Sequence, residues 1–136
     1  MIPISAILKA KLLIVDDQVA NVLLLERLLT SAGYSDVTST QNPTTVMDLH
    51  RQNKYDLILL DLNMPKMNGV EFLKITSNHD VFKNIQVVVH TTSNNKADVE
   101  ACRQLGIAGY FVKSVDYAQY KSNLQIILAY WSQSEQ

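Results

Sequence analysis

Three aspartates in this sequence are placed where they could do chemistry. Asp61 closes the run Tyr55-Asp56-Leu57-Ile58-Leu59-Leu60 and is followed by Leu62-Asn63-Met64-Pro65. Asp16 and Asp17 follow Leu12-Leu13-Ile14-Val15 in the same way. An unpaired charge buried in a core is costly, so a carboxylate ending an apolar strand does not serve the core. It belongs at the strand's carboxyl edge, where parallel α/β sheets place their ligand sites. Two such strands bring three carboxylates to one edge. That much like charge calls for a cation, and hard oxygen ligands favour Mg²⁺. The bland alternative for Asp16-Asp17 is a helix cap.

The elements that must position these groups alternate along the chain. Strands are expected over residues 11–15, 36–40, 56–61, 85–90 and 109–112, and helices over 20–32, 44–52, 70–77, 96–105 and 116–132. Strands one, three and four are apolar almost throughout, as expected when helices cover both faces. Strict βα alternation implies a parallel sheet with right-handed crossovers. Gly33 and Gly106 follow helical runs as C-caps, and Asn42-Pro43 opens the second helix. The acid cluster forms only if strands one and three are neighbours. In a sheet ordered 2-1-3-4-5 they flank the point where ligands bind.

Two more strand ends point to the same edge. The fourth strand runs Ile85-Gln86-Val87-Val88-Val89-His90 into Thr91-Thr92-Ser93. A hydroxyl there can bond a phosphoryl oxygen, or simply form a local turn. The fifth, Tyr110-Phe111-Val112, runs into Lys113. An ammonium facing the acids can neutralise charge on a transferring phosphoryl group.

Asp16-Asp17, Asp61, Thr91 and Lys113, in this order on these elements, resemble the receiver domain of two-component response regulators. The stretch Asp61-Leu62-Asn63-Met64-Pro65-Lys66-Met67-Asn68-Gly69 resembles that family's signature loop. The likeness spans about Lys11 to Tyr130. It implies an α/β fold: a doubly wound five-stranded parallel sheet, order 2-1-3-4-5, of the flavodoxin-like (βα)5 kind. It gives residues 1–10 as an N-terminal extension, 11–133 as the receiver and 134–136 as a tail. It implies phosphorylation of Asp61 by a histidine kinase, with Mg²⁺ held by Asp17, Asp61 and the backbone carbonyl of Asn63, and Asp16 helping directly or through water. Lys113 and Thr91 would assist, and Thr91 with Tyr110 would switch a surface of helix four, strand five and helix five. The stretches Val87 to Ser93 and Lys113 to Asp116, with Tyr130-Trp131, resemble single-domain regulators paired with phytochrome-type kinases. Three details depart from the family pattern. Ser114 stands where it usually has proline, often with a cis peptide. His90 stands where it is usually apolar, and is read as a satisfied core histidine without a catalytic role. Thr92 stands where Ala is most frequent and could narrow access to a phosphoryl group.

Rival readings fare worse. A haloacid-dehalogenase-type phosphatase needs an aspartate two residues after its nucleophile, and Asn63 stands there. A flavodoxin-like carrier needs a Ser/Thr/Gly-rich loop after strand one, which Gln18-Val19-Ala20-Asn21 is not. No G-x-x-x-x-G-K-[ST] exists for a P-loop. A degenerate receiver acting as an interaction module usually lacks an acidic residue or the lysine, and neither is missing. A receiver module of a larger protein remains open. The expectation is a signalling phosphoprotein and not an enzyme beyond its own phosphorylation and dephosphorylation.

Bulk properties agree with a small signalling domain. The chain has 136 residues, 47% apolar, with formal net charge −1, so no basic surface points to nucleic acid. Cys102 is the single cysteine, which suits the cytoplasm. No apolar run is long enough to span a membrane. On the last helix Tyr117, Tyr120, Leu124, Ile127, Leu128 and Trp131 share one face and should pack on the sheet. Ile126 and Tyr130 lie off that face. They are candidates for a homodimer or downstream-partner surface, against ordinary scattered apolar residues.

Overall fold

The computed structural model describes residues 8–64, 67–78, 85–92, 94–114 and 116–134, with side chains to residue 129. The strands are β1 (Lys11–Val15), β2 (Asp36–Thr40), β3 (Leu57–Leu60), β4 (Gln86–Thr91) and β5 (Gly109–Val112). The helices are α1 (Val19–Ser31), α2 (Val46–Asn53), α3 (Gly69–Ser77), α4 (Lys96–Gln104) and α5 (Tyr117–Ser134). All strand pairs are parallel, in the order β2-β1-β3-β4-β5. This is the doubly wound α/β architecture expected from the alternation, and it puts β1 beside β3.

The apolar strands divide their side chains between two cores, because successive residues of a strand point to opposite faces. Leu12, Ile14, Leu57, Leu59 and Val88 meet Val22, Leu25 and Leu29 of α1 and Tyr120, Leu124 and Ile127 of α5. Leu13, Val15, Ile58, Leu60 and Val89 meet Val46, Phe72, Leu73 and Cys102 on the other side. Each core residue removed from water contributes on the order of 2 kcal/mol. The two layers together hold the strand ends in fixed register.

Some boundaries differ from expectation, for local reasons. The second helical pattern is split. Pro43–Thr45 forms a 3-10 turn before α2 begins. Asn42 Oδ1 accepts from the Thr44 backbone N–H at 3.1 Å, and that cap tightens the first turn. Thr91 is the last residue of β4 rather than the first after it, because its pairing with Val112 extends the ladder. Tyr117 was expected to pack on the sheet but is 57% exposed. It begins α5 one turn before the buried Tyr120, beside a groove it lines with Arg27 and Lys121. Tyr120, Leu124, Ile127 and Leu128 pack as expected, and Ile126 points to solvent. The side chains of Tyr130 and Trp131 lie outside the described residues, as do Pro65, Lys66, Ser93 and Val115. Within the expected N-terminal extension, Leu8 and Ala10 pack against the α1–α5 core. No helix among the described residues is long and apolar enough to cross a membrane.

Candidate functional site

Backbone hydrogen bonds carry the sheet just past the strand ends and so fix the site. The Asp61 N–H donates to the Val15 carbonyl at 2.9 Å, and the Asp16 N–H to the Thr40 carbonyl at 3.2 Å. The Lys113 N–H donates to the Thr91 carbonyl at 2.7 Å. Ligand oxygens of Asp16, Asp17 and Asp61 consequently lie within 4.8 Å of one another. Lys113 crosses from the far strand to join them. Its Nζ donates to Asp16 Oδ2 at 2.8 Å and to Asp61 Oδ2 at 3.3 Å. The described residues contain no cis peptide bond. Lys113 reaches both carboxylates with Ser114 behind it.

These ion pairs are nearly shut off from water, with side-chain exposures of 7% for Lys113, 2% for Asp16 and 4% for Asp61. A buried ion pair seldom stabilises a fold better than apolar packing would, because desolvation offsets the attraction. Such an arrangement is better explained by chemistry than by stability. Asp16 is fully engaged: Oδ1 accepts from the Gln18 N–H at 3.0 Å, and Oδ2 accepts from Asn21 Nδ2 as well as from Lys113. The helix-cap reading of the aspartate pair does not hold. Gln18 is the N-cap residue of α1 and has no side-chain cap bond. Asp17 keeps a buried Oδ1 with no partner. Burial first, then the neighbouring Asp61 and Asp16 charges, raise its carboxyl above the usual carboxylate value. One lysine thus leaves the cluster short of positive charge. A hard divalent cation fits these oxygens, and the orphaned Asp17 Oδ1 is a donor held ready for it.

The surrounding residues close the site. Thr91 is fully buried. Asn63 donates through Nδ2 to the Thr92 hydroxyl at 3.0 Å and, at 3.4 Å, to that of Thr91. Its backbone N–H donates to Asp61 Oδ1 at 3.2 Å. Thr92 is thereby tied to the loop that follows Asp61. Gly69 packs directly behind this loop. A Cβ there would sit 2.6 Å from Leu62 Cα and 2.9 Å from the Asp61 carbonyl oxygen, so the close approach requires glycine. The Gly69 N–H donates to the Leu62 carbonyl at 2.9 Å.

His90 lies in the core as expected, but its ring is not satisfied. It is 2% exposed, neither ring nitrogen has a hydrogen-bond partner, and its ring meets Tyr120 edge-on at 5.0 Å. Burial, then the Lys113 charge, hold its pKa down at about 4. The ring is neutral at physiological pH. Two site residues escape a sequence reading. Asn21 bonds Asp16, and the Tyr120 hydroxyl donates to Asn21 Oδ1. Asn21 stands between Val19-Ala20 and Val22-Leu23 at the opening of a helix, with nothing local to tie it to the acids, and Tyr120 counts as one of an apolar stripe. The only sequence signal is a hydroxyl on that stripe, since buried tyrosine hydroxyls usually find a partner.

Comparison with known proteins places this geometry. The model of the response regulator receiver domain matches residues 12–125. A probable chemotaxis protein CheY of Rhizobium etli is 31% identical over 119 residues, which cover 88% of this chain and 92% of that protein. The polar-differentiation response regulator DivK of Brucella anthropi is 30% identical, over 85% of this chain and 94% of its own. Among solved structures, the Mn²⁺-bound form of response regulator Rcp1 superposes with a TM-score of 0.80 at 31% identity, covering 90% of this chain and 94% of that one. The phosphorylated cyanobacterial phytochrome response regulator RcpA gives 0.83 at 30% identity, over 93% and 96%.

Proposed function

This chain belongs to the response regulator receiver-domain family of two-component systems, and from that premise we propose that it accepts a phosphoryl group from a histidine kinase on Asp61. The observation that carries this reading is the Lys113 ammonium set between Asp16 and Asp61 beside the orphaned Asp17 oxygen. Asp17 and Asp61, with the backbone carbonyl of Asn63, would hold Mg²⁺, and Asp16 would help directly or through water. When bound, the metal supplies charge neutralisation for a loose phosphoryl-transfer transition state. Likeness to a protein solved with Mn²⁺ supports a divalent ion there.

The chain's own residues account for the rest. A carboxylate oxygen of Asp61 attacks phosphorus while the P–N bond of the donor phosphohistidine breaks, and the departing imidazole keeps the bond's electron pair. Lys113 exchanges its Asp61 contact for an oxygen of the transferred group, which offsets the added negative charge. Thr91, one strand over, would donate its hydroxyl to another oxygen. Its movement leaves room for Tyr110, two residues before Thr91's ladder partner Val112 on β5, to turn inward. That biases the surface of α4, β5 and α5, where Ile126 is exposed. Ile126 and Tyr130 would then meet a second copy or a downstream protein. A charge pair there, Ile126→Glu with Tyr130→Glu, should weaken such association and leave phosphorylation intact. The chain would not act as an enzyme on separate substrates. Asn63, at the position of a phosphatase's proton-transferring aspartate, instead spends its amide on two threonine hydroxyls.

The test is acetyl phosphate treatment read by intact mass. Wild type should gain one phosphoryl group with Mg²⁺ and none when the metal is chelated. Asp61→Asn should gain none. Equal labelling of that variant would remove Asp61 from the role.

A further inference from the structure

We propose that Asn21 and Tyr120 are positioning residues that set the orientation of the Asp16 carboxylate, and through it the metal site and Lys113. The inference rests on the reading of Asp16 as a metal-site carboxylate. It starts from a chain of side-chain bonds that ties the β1–α1 region to the β5–α5 region, distant in sequence. The Tyr120 hydroxyl, from α5, donates to Asn21 Oδ1 on α1. Asn21 Nδ2 donates to Asp16 Oδ2, which also accepts from Lys113 Nζ at 2.8 Å.

The direction of every bond follows from the end of the chain. An ionised carboxylate only accepts, so Asn21 must present its NH₂ to Asp16. That leaves its carbonyl oxygen facing Tyr120, and the phenol must then donate. Tyr120 is suited to hold that proton. Burial, then the Asp16 and Asp61 charges, push its ionisation well above the ordinary phenol value. His90 meets the Tyr120 ring at 5.0 Å in a T-shaped contact, and neither of its ring nitrogens takes a hydrogen bond. Tyr120 is 4% exposed, so its ring is held by packing while its hydroxyl is held by one bond. The Asn21 amide is therefore locked in one of its two orientations, and Asp16 Oδ2 is fixed between an amide and an ammonium. Removing a group that orients a metal-binding carboxylate in this way typically lowers metal affinity about 10- to 100-fold.

Tyr120→Phe removes the hydroxyl and keeps the ring against His90. Asn21→Ala removes the amide at a part-exposed helix position where alanine is well tolerated. Mg²⁺ titrations followed by NMR should show affinity falling about tenfold in Asn21→Ala. Tyr120→Phe should fall in the same direction by a smaller factor. The double variant should bind no more weakly than Asn21→Ala alone, because Tyr120 acts only through Asn21. A metal-free readout accompanies this: the Asn21 side-chain NH₂ signal should shift in Tyr120→Phe. Losses that multiply in the double variant, unchanged affinity in Tyr120→Phe, or an unmoved Asn21 signal would each overturn the relay. A wild type that binds no Mg²⁺ would overturn the site reading itself. Wild-type binding equalled by all three variants would overturn the relay alone.

Discussion

Strand β3 has an aspartate beside each of its ends, and the two live in opposite circumstances. Asp56 precedes the strand, is exposed, and spends Oδ2 on the backbone N–H of Lys11 at 2.9 Å. Asp61 follows it, is 3% exposed, and shares the Lys113 ammonium with Asp16. The amino end satisfies a backbone donor at the sheet's rim. The carboxyl end gathers three acids and one base in a place that costs free energy to fill with charge. Residue type is identical at the two ends. What separates them is which neighbouring strand ends converge there, and in a parallel sheet only the carboxyl edge gathers loops that lead into helices.

The contrast can be broken most severely at Asp17. Asp17→Ala should abolish Mg²⁺ binding at millimolar concentration, read by NMR shifts, since it removes an anionic oxygen from a cluster built for a hard cation. The same variant should behave oppositely without metal. Asp17 has a folded pKa raised above 3.8, so the native state holds that proton more tightly than the unfolded chain. Its contribution to stability is intact below 3.8 and is lost as pH rises through the folded pKa. Metal-free Asp17→Ala should therefore melt higher than wild type at neutral pH, with the gap closing on acidification. A gap independent of pH would contradict this. Lys113→Ala should slow acetyl phosphate labelling on the order of 100-fold, the usual cost of removing one charge-stabilising donor. An unchanged rate would reduce Lys113 to a structural partner.

Gly69→Ala sharpens the comparison through the backbone. Its Cβ would collide with Leu62 Cα and the Asp61 carbonyl, and backbone yields less readily than a side-chain tip. A loss of about 2 kcal/mol in denaturant unfolding is expected, with slower labelling because the Asp61 loop must shift. The smallest effect belongs to the other end of the strand. Asp56→Ala removes one exposed side-chain bond and should cost about 1 kcal/mol, with labelling untouched.

Sequence patterns carried much of this. Leu12 to Val15 and Leu57 to Leu60 are apolar because each strand feeds both cores, which made their terminal aspartates conspicuous. That β1 and β3 are neighbours followed from requiring those aspartates to meet, and the full strand order from the family resemblance. The features that stayed hidden depend on distance in sequence or on local rotation. Asn21 and Tyr120 are 99 residues apart, and nothing in either segment announces the bond between them. Tyr117 shares the periodicity of the packed stripe, yet it begins α5 beside an open groove and stays exposed. Gly69 looks like part of a loop motif, but its need for a missing Cβ appears only when Leu62 is seen against it.

The most direct measurement locates the acyl phosphate itself. Wild type would be treated with acetyl phosphate and Mg²⁺, then reduced with borohydride, which converts a phosphorylated aspartate to homoserine, and mapped by peptide mass. The account predicts homoserine at position 61 alone, with Asp56, Asp16 and Asp17 unmodified. Homoserine at 16, 17 or 56 in place of 61, or unmodified Asp61 in protein that has gained a phosphoryl group, would contradict it.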